Sequence, residues 1–194
     1  MTQNIITAGD ATNTLSITGG NDGTVVIQSG LAGSKVNALS FAADGTPTFL
    51  KGPVNVVAFS AYQSTLQSVP NATLTKIQFQ TKEYDTASAF DSTTNYRFQP
   101  LVAGYYQISA NVGFVAAVQS CLATLYKNGS RYKDGVNAGS AAGYLFSSNL
   151  SAQVYLNGST DYLEIFGYQA IGSPLSTQAA PYQTFFQGIL IAKA

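Results

Sequence analysis

Short runs of β-favouring residues, separated by turns rich in Gly, Asn and Asp, recur along the chain. Residues 104–114 and 184–192 each read as one long strand, and residues 73–80 alternate apolar and polar positions. Asn128 and Gly129 stand between two further runs and are a strong signal for a tight hairpin turn. No segment shows sustained helical periodicity. About eight to ten strands at this spacing predict an all-β sandwich or jelly roll.

Composition supports this prediction and limits the possible partners. Only 9% of residues are charged, against roughly 25% in an ordinary soluble domain, while 12 Tyr and 11 Phe supply large side chains for burial. Nine basic residues balance nine acidic ones, and no basic cluster is larger than Lys127, Arg131 and Lys133 beside a turn. We therefore expect no nucleic-acid partner. The zero net charge also favours an oligomer that buries much of its surface.

The residues that most enzymes use for catalysis are missing or badly placed. The chain has no His, which excludes triads and metal sites that depend on imidazole. The one cysteine, Cys121, lies in an apolar run and is expected to be buried. Asp161 and Glu164 are a possible glycosidase pair, but three residues apart on one strand they would point to opposite faces. We predict that the protein is not an enzyme.

The first 53 residues differ from the rest of the chain. They contain few aromatic residues and three short β-like runs, at 14–18, 24–28 and 38–42. Each run is too short to bury a core of its own, so this segment needs a partner. It either packs on the following domain or, as the favoured option, combines with other copies into a stem. Lys51, Gly52 and Pro53 mark the boundary, which divides the chain into a β-rich stem or anchoring segment (1–53) and a head (54–194).

Targeting signals are not evident in the sequence. The N-terminus has no basic region followed by an apolar stretch, so we expect no signal peptide. No run of 18 apolar residues is present, so we expect no membrane insertion.

An ordered set of motifs in the head resembles a known family. Residues 90–108 begin with an aromatic-Asp turn at Phe90 and continue through Phe98 and Pro100 to Gly104, which is followed by Tyr106 and Ile108. Three further motifs follow in order: Leu-Tyr-Lys-Asn-Gly at 125–129, a strand pair over 150–166, and Phe-Gln-Gly-Ile-Leu at 186–190. This set, over roughly residues 58–194, resembles the globular head of complement component 1q, which is related in fold to tumour necrosis factor. The chain departs from the family at residues 157–161, where Asn-Gly-Ser-Thr-Asp replaces the usual Gly-Asp turn.

The resemblance implies a complement 1q-like jelly-roll head that assembles as a homotrimer. It suggests Tyr106, Tyr126, Phe166 and Phe186 as residues that pack in the core or at the threefold axis. Some members of the family bind calcium, which requires clustered oxygen ligands. Glu83, Asp85 and Asp91 form the one local acidic group and are expected to decorate a loop instead. We therefore predict no cofactor.

The leading functional hypothesis is a structural component of a tailed-bacteriophage virion, assembled in the host cytoplasm. It would be a tail fibre, a head fibre or a receptor-binding appendage, anchored to other virion proteins through the N-terminal segment. The head would face outward and bind a host-surface glycan or protein, with Tyr132, Asn137 and Tyr144 as candidate ligand contacts. Two alternatives stay open: a capsid decoration protein that cements neighbouring subunits, and a carbohydrate-binding adhesion module on the bacterial cell surface.

Overall fold

The computed structural model describes residues 56–116, 118–137 and 146–194, together with four strands in the first 50 residues. The chain divides into two compact units, Met1–Asn55 and Val56–Ala194. The candidate ligand residue Tyr144 lies outside the described residues. No helix in the described parts is long and apolar enough to cross a membrane.

The N-terminal unit contains a small antiparallel sheet with the strand order β1-β2-β3-β4. Its strands are β1 (Ser16–Gly19), β2 (Val25–Ser29), β3 (Val36–Phe41) and β4 (Pro47–Phe49). The first three overlap the runs predicted from sequence. Each strand pairs with the next one along the chain, as β1–β2, β2–β3 and β3–β4. That copies of this segment combine into a stem stays a prediction.

The second unit, called the head below, is all-β throughout its described residues. Its strands are β5 (Ala58–Tyr62), β6 (Ser68–Val69), β7 (Thr75–Lys76), β8 (Thr81–Asp85), β9 (Phe90–Asp91), β10 (Arg97–Phe98), β11 (Gly104–Gly113), β12 (Ser120–Lys127), β13 (Ser130–Asp134), β14 (Ser147–Leu156), β15 (Leu163–Ala170), β16 (Leu175–Ser176) and β17 (Phe185–Lys193).

Two sheets form the head. A five-stranded sheet has the order β14-β11-β17-β5-β8, and a six-stranded sheet has the order β13-β12-β15-β10-β9, with β7 also paired to β15. The strands β6 and β16 form a separate two-stranded pair. Inward-facing side chains of both large sheets belong to one hydrophobic core, so the sheets pack face to face as a sandwich.

Aromatic rings connect the two sheets at the centre of the core. Phe59 on β5 stacks on Phe98 of β10, with ring centroids 4.2 Å apart, and on Phe90 of β9 at 5.1 Å. The edge of Phe59 also meets Phe186 of β17 at 4.9 Å. Because these rings come from four strands of both sheets, the core holds the two layers together as one unit.

The strand β11 begins at Gly104, where the neighbouring strand β17 leaves no room for a side chain. A Cβ atom on Gly104 would lie 2.3 Å from the carbonyl oxygen of Ala192 on β17. Glycine therefore allows the close approach of the two strands at the start of β11. Two residues later, the hydroxyl of Tyr106 donates a hydrogen bond to the carbonyl oxygen of Val102 at 2.7 Å, which ties the strand to the loop before it.

The predicted hairpin at Asn128 and Gly129 is confirmed. Both residues have positive φ, +53° and +75°, as a type I′ turn between β12 and β13 requires. The Asn128 side chain also donates to Asp161 and accepts from the backbone N–H of Tyr162, so the turn is bonded to the loop before β15.

The prediction of a continuous strand over residues 73–80 is wrong in extent, because only Thr75 and Lys76 pair as a strand. The predicted alternation does hold, and Ile77 and Phe79 are fully buried. The side-chain amide of Gln67 takes the place of a neighbouring strand: it donates to the carbonyl oxygen of Lys76 and accepts from the backbone N–H of Gln78. Because the Gln67 side chain satisfies these backbone groups, the segment does not require a longer run of strand-to-strand hydrogen bonds.

Candidate functional site

The four aromatic residues suggested by the family resemblance occupy two different places. Tyr106 and Phe186 are fully buried in the core between the sheets, and burial raises the pKa of Tyr106 to about 12. Tyr126 and Phe166 are half-buried on the side of the six-stranded sheet that faces away from the core. Their rings stack on each other, with centroids 3.9 Å apart.

The side of the five-stranded sheet that faces away from the core is called face A here. Its exposed members include Tyr105, Tyr155 and Ile189, which are between 41% and 51% exposed. Tyr105 lies opposite Tyr155 in the β11–β14 ladder, and their ring centroids are 5.5 Å apart. Gln107 lies opposite Ile189 and Gln153 in the next row. Face A therefore presents tyrosine, isoleucine and glutamine side chains to its surroundings.

Charge is almost absent from four of the five strands of face A, whereas the fifth strand, β8 at the edge of the sheet, carries Lys82, Glu83 and Asp85. In the four adjacent strands β14, β11, β17 and β5, the one charged residue is Lys193 at the end of β17. A flat sheet surface with exposed Tyr and Ile and no charged side chain among them has the composition of a protein–protein interface core.

The opposite side of the head, called face B, is the side of the six-stranded sheet that faces away from the core. It carries ion pairs, including Lys76–Glu164 with an N–O distance of 2.9 Å and Arg131–Asp134 at 2.6 Å. Arg97 lies over the ring of Tyr162, 4.4 Å from its centroid. Lys76 and Arg131 are thus paired with carboxylates on face B, and Arg97 is placed against an aromatic ring.

A β-bulge decides which side chains of β13 belong to face B. Tyr126 pairs with Arg131 and Thr124 pairs with Asp134, so Tyr132 is the extra residue in the ladder. Without the bulge, Arg131 and Asp134 would point to opposite faces of the strand. With it, they form a two-point ion pair, and Thr124 Oγ1 donates a third hydrogen bond to Asp134 at 3.1 Å.

Tyr132 and Asn137, the two candidate ligand residues that the structure describes, lie in different places. Tyr132, the bulged residue, is 45% exposed, with the Lys133 ammonium 5.6 Å from its ring centroid. Asn137 instead lines an open cleft of about 350 Å³ on face B. The structure does not bring Tyr132 into this cleft.

The cleft combines residues that lie far apart in the sequence. Its apolar lining includes Leu74, Leu122 and Tyr168, and its polar lining is Ser120, Arg131 and Asn137. Sequence reasoning found Asn137 and missed the others, because they come from separate strands and loops. The alternation of half-buried aromatics at Phe166 and Tyr168 on β15 was the one local signal available.

Most of the acidic residues considered for catalysis or for calcium binding accept hydrogen bonds from backbone N–H groups or form ion pairs with nearby lysines. Asp161 lies in the loop before β15, so the prediction that it shares a strand with Glu164 is wrong: Asp161 closes the turn that begins at Asn157. Asp85 accepts hydrogen bonds from the backbone N–H groups of Ala89 and Phe90. In the part of the chain that the structure describes, no three His, Cys, Asp or Glu side chains come together as metal ligands.

Hydrogen bonds favour the ionised form of Asp91 and Asp161. Hydrogen bonds from the backbone N–H groups of Thr94 and Thr93 lower the pKa of Asp91 far below its usual value. The hydrogen bond from Asn128 is the largest cause that lowers the pKa of Asp161, and the nearby Lys127 acts in the same direction. Both groups are structural: Asp91 caps the turn after β9, and Asp161 joins two loops.

Comparison with known proteins places the fold. Neither a family model nor a curated protein sequence matches the chain. Eiger TNF from S. frugiperda matches with a TM-score of 0.57 at 13% identity, over 72% of this chain and 95% of that one. The globular domain of zebrafish complement 1qA matches with a TM-score of 0.54 at 17% identity, over 72% of this chain and 99% of that one. The head has the jelly-roll fold of these proteins.

Murine APRIL at pH 5.0 gives a further match, with a TM-score of 0.55 at 12% identity, over 70% of this chain and 99% of that one. The predicted all-β jelly roll is therefore confirmed. At these identities the likeness concerns the fold alone, so the trimer and the viral setting stay predictions.

Proposed function

We propose that this chain is a non-enzymatic, homotrimeric structural component of a tailed-bacteriophage virion. Its N-terminal segment anchors to other virion proteins as a stem, and its head faces outward as part of a fibre or a receptor-binding appendage. The observation that carries the proposal is face A, because its four adjacent strands β14, β11, β17 and β5 form an exposed and nearly charge-free surface that is suited to contact with copies of the same chain.

Self-association through face A follows from its energetics. Exposed apolar area costs about 25 cal/mol for each Å² left in water, and Tyr and Ile side chains contribute large areas. Lys193 lies at the last position of β17, so a second copy could cover Tyr105, Tyr155 and Ile189 without burying an unpaired charge. A threefold arrangement is proposed because the complement 1q and tumour necrosis factor heads that the sequence resembles assemble as trimers.

The N-terminal unit supports the stem part of the proposal. Its four strands contain only three to six residues each, which is short for a sheet that must be stable by itself. Association of three copies, or attachment to another virion protein, would supply the missing buried surface. An N-terminal unit that needs further buried surface and a head with a charge-poor face together suit an anchored trimer.

Two measurements test the proposal. The mass of the full chain in solution should be three times that of the 20.3 kDa protomer, and a stable monomer would contradict the trimer. Imaging of purified particles with an antibody against the chain should place it on a fibre or appendage. Copies spread over the whole shell would instead indicate a decoration protein, and absence from particles would contradict the virion role.

A further inference from the structure

The cleft on face B is built differently from the rest of the surface. Its lining joins an aromatic and apolar wall (Tyr168, Leu122 and Leu74) to a polar edge formed by Ser120, Asn137 and Arg131. Its volume of about 350 Å³ is within the range of small-ligand sites. We propose that this cleft binds a neutral saccharide, an inference that rests on the proposed outward-facing role of the head.

The apolar wall suits one side of a sugar ring. Leu122 lies directly opposite Tyr168 in the β12–β15 ladder, so the two side chains form adjacent parts of one surface. Both are half-buried, which leaves part of each accessible to a ligand. A pyranose ring presents a face of C–H groups, and such a face packs against an aromatic ring and neighbouring aliphatic side chains.

The polar edge supplies hydrogen-bonding groups in a fixed orientation. Ser120 Oγ donates to Asn137 Oδ1 at 2.7 Å, which orients the carboxamide. The Asn137 NH2 group makes no hydrogen bond to another described residue and can donate to a sugar hydroxyl. The hydroxyl of Tyr168 is likewise without a hydrogen-bond partner among the described residues. These groups match the mixed donors and acceptors of a carbohydrate.

Electrostatics favours a neutral ligand over an acidic one. Among the described residues that line the cleft, Arg131 is the one charged residue, and two hydrogen bonds pair it with Asp134 at 2.6 and 2.9 Å. Because its charge is balanced on the same strand, the cleft has no unpaired cation for a carboxylate or a phosphate. Arg131 still has a guanidinium nitrogen outside this pair, which can donate to a hydroxyl group.

The aromatic surface continues beyond the cleft. Phe166 lies two residues before Tyr168 on β15, on the same face and roughly 6.8 Å along the strand. Phe166 in turn stacks on Tyr126. A ligand of several sugar units would therefore cover more of face B than a single unit, so affinity should increase with chain length.

Saturation-transfer NMR on the full chain tests the proposal, with maltotriose, cellotriose, triacetylchitotriose and mannotriose as neutral probes and 3′-sialyllactose as an acidic one. At least one neutral trisaccharide should bind with a dissociation constant on the order of 1 mM, more tightly than its monosaccharide. Tyr168→Ala should weaken this binding about tenfold. Tyr182→Ala, at an exposed tyrosine that does not line the cleft, is the matched control and should leave it unchanged.

Asn137→Ala provides a second variant, because Asn137 is exposed and its removal should not affect folding. It should weaken binding severalfold while the amide spectrum stays that of the folded protein. The proposal is overturned if no neutral probe binds at about 10 mM, if 3′-sialyllactose binds more tightly than every neutral probe, or if Tyr182→Ala weakens binding as much as Tyr168→Ala.

These outcomes are separate from those that test the proposed function. A trimer that is located on particles but binds no saccharide would support the proposed virion role and contradict only the proposed saccharide site. A monomeric chain that binds a saccharide through Tyr168 would contradict the proposed trimer and support the proposed saccharide site.

Discussion

The two outward faces of the head are built from the same kind of strand and differ mainly in charge. Four adjacent strands of face A contain one charged residue, Lys193, at their margin. Face B carries the ion pairs Lys76–Glu164 and Arg131–Asp134, and Arg97 lies over Tyr162. Both faces expose tyrosines, so aromatic content alone does not distinguish them.

This difference shows how a chain with very few charges can use them. Balanced ion pairs keep face B hydrated and soluble while leaving room for a small polar cleft. The near absence of charge from the strands β14, β11, β17 and β5 of face A lowers the desolvation cost that would oppose contact between copies. The arrangement of charges therefore separates a surface suited to assembly from a surface suited to a ligand.

The largest expected effect comes from placing a charge on face A. Ile189→Lys should convert the proposed trimer to monomers at micromolar concentration, because each interface would then bury an unpaired ammonium group. Ile189 is 44% exposed in the single chain, so the variant should still fold. Analytical ultracentrifugation measures the change in mass.

Tyr132→Lys is the matched control for that experiment, since Tyr132 is 45% exposed and lies on β13, outside face A. It should leave the trimer intact. A trimer that survives Ile189→Lys, or that is lost equally in Tyr132→Lys, would show that face A is not the interface.

A smaller effect is expected from Asp161, which joins the β12–β13 hairpin to the loop before β15. Its carboxylate accepts hydrogen bonds from Asn128 at 2.7 Å and from the backbone N–H of Asn157 at 3.1 Å, and it pairs with Lys127 at 3.0 Å. Asp161→Ala leaves these donors without their acceptor. It should lower the free energy of unfolding by about 2 kcal/mol.

Urea unfolding of the Ile189→Lys monomer and of the double variant with Asp161→Ala measures this difference without a contribution from assembly. An unchanged midpoint would mean that solvent replaces all three interactions at no cost.

Acid should destabilise the head through the same carboxylate and through Asp91. Hydrogen bonds lower the pKa of both groups in the folded state, from Asn128 for Asp161 and from the backbone of Thr94 for Asp91. Their contribution is therefore complete above the ordinary carboxyl pKa of about 3.9 and is lost as the pH falls below it. Urea midpoints at about pH 7 and about pH 3 should differ, and Asp161→Ala should reduce that difference.

The smallest effect is expected at the ion pair of face B. Arg131 and Asp134 are both largely exposed, so solvent screens their attraction. Asp134→Asn should leave the urea midpoint within error. It should instead strengthen binding of 3′-sialyllactose relative to neutral sugars, because Arg131 would then be an unbalanced cation in the cleft. A large loss of stability would show that the pair is needed for the bulge.

The local pattern of residues in the sequence was sufficient to predict much of the fold. The strands β11, β14, β15 and β17 overlap runs that were recognisable from period-two alternation and aromatic content. The hairpin at Asn128 and Gly129 was predictable because few residue pairs adopt positive φ at two successive positions. These features depend on neighbours in the chain, which the sequence displays directly.

Other features depend on neighbours that are distant in the chain. Residues 73–80 alternate as a strand should, yet the Gln67 side chain replaces most of their ladder. The bulge at Tyr132 reverses the side of the strand on which Asp134 lies, and period-two counting predicts the opposite side. The acceptor role of Asp161 likewise requires two loops to meet.

Composition and local pattern were thus enough to establish an all-β head, its main strands, its tight turn and the lack of imidazole chemistry. Tertiary structure decided which tyrosines are buried, which face has few charges, and that Asn137 meets Tyr168 and Leu122 in one cleft. The physical reason is that strand periodicity assigns side chains to two sides of a strand, whereas only the pairing and packing of strands determine which side is covered and what lies beside it.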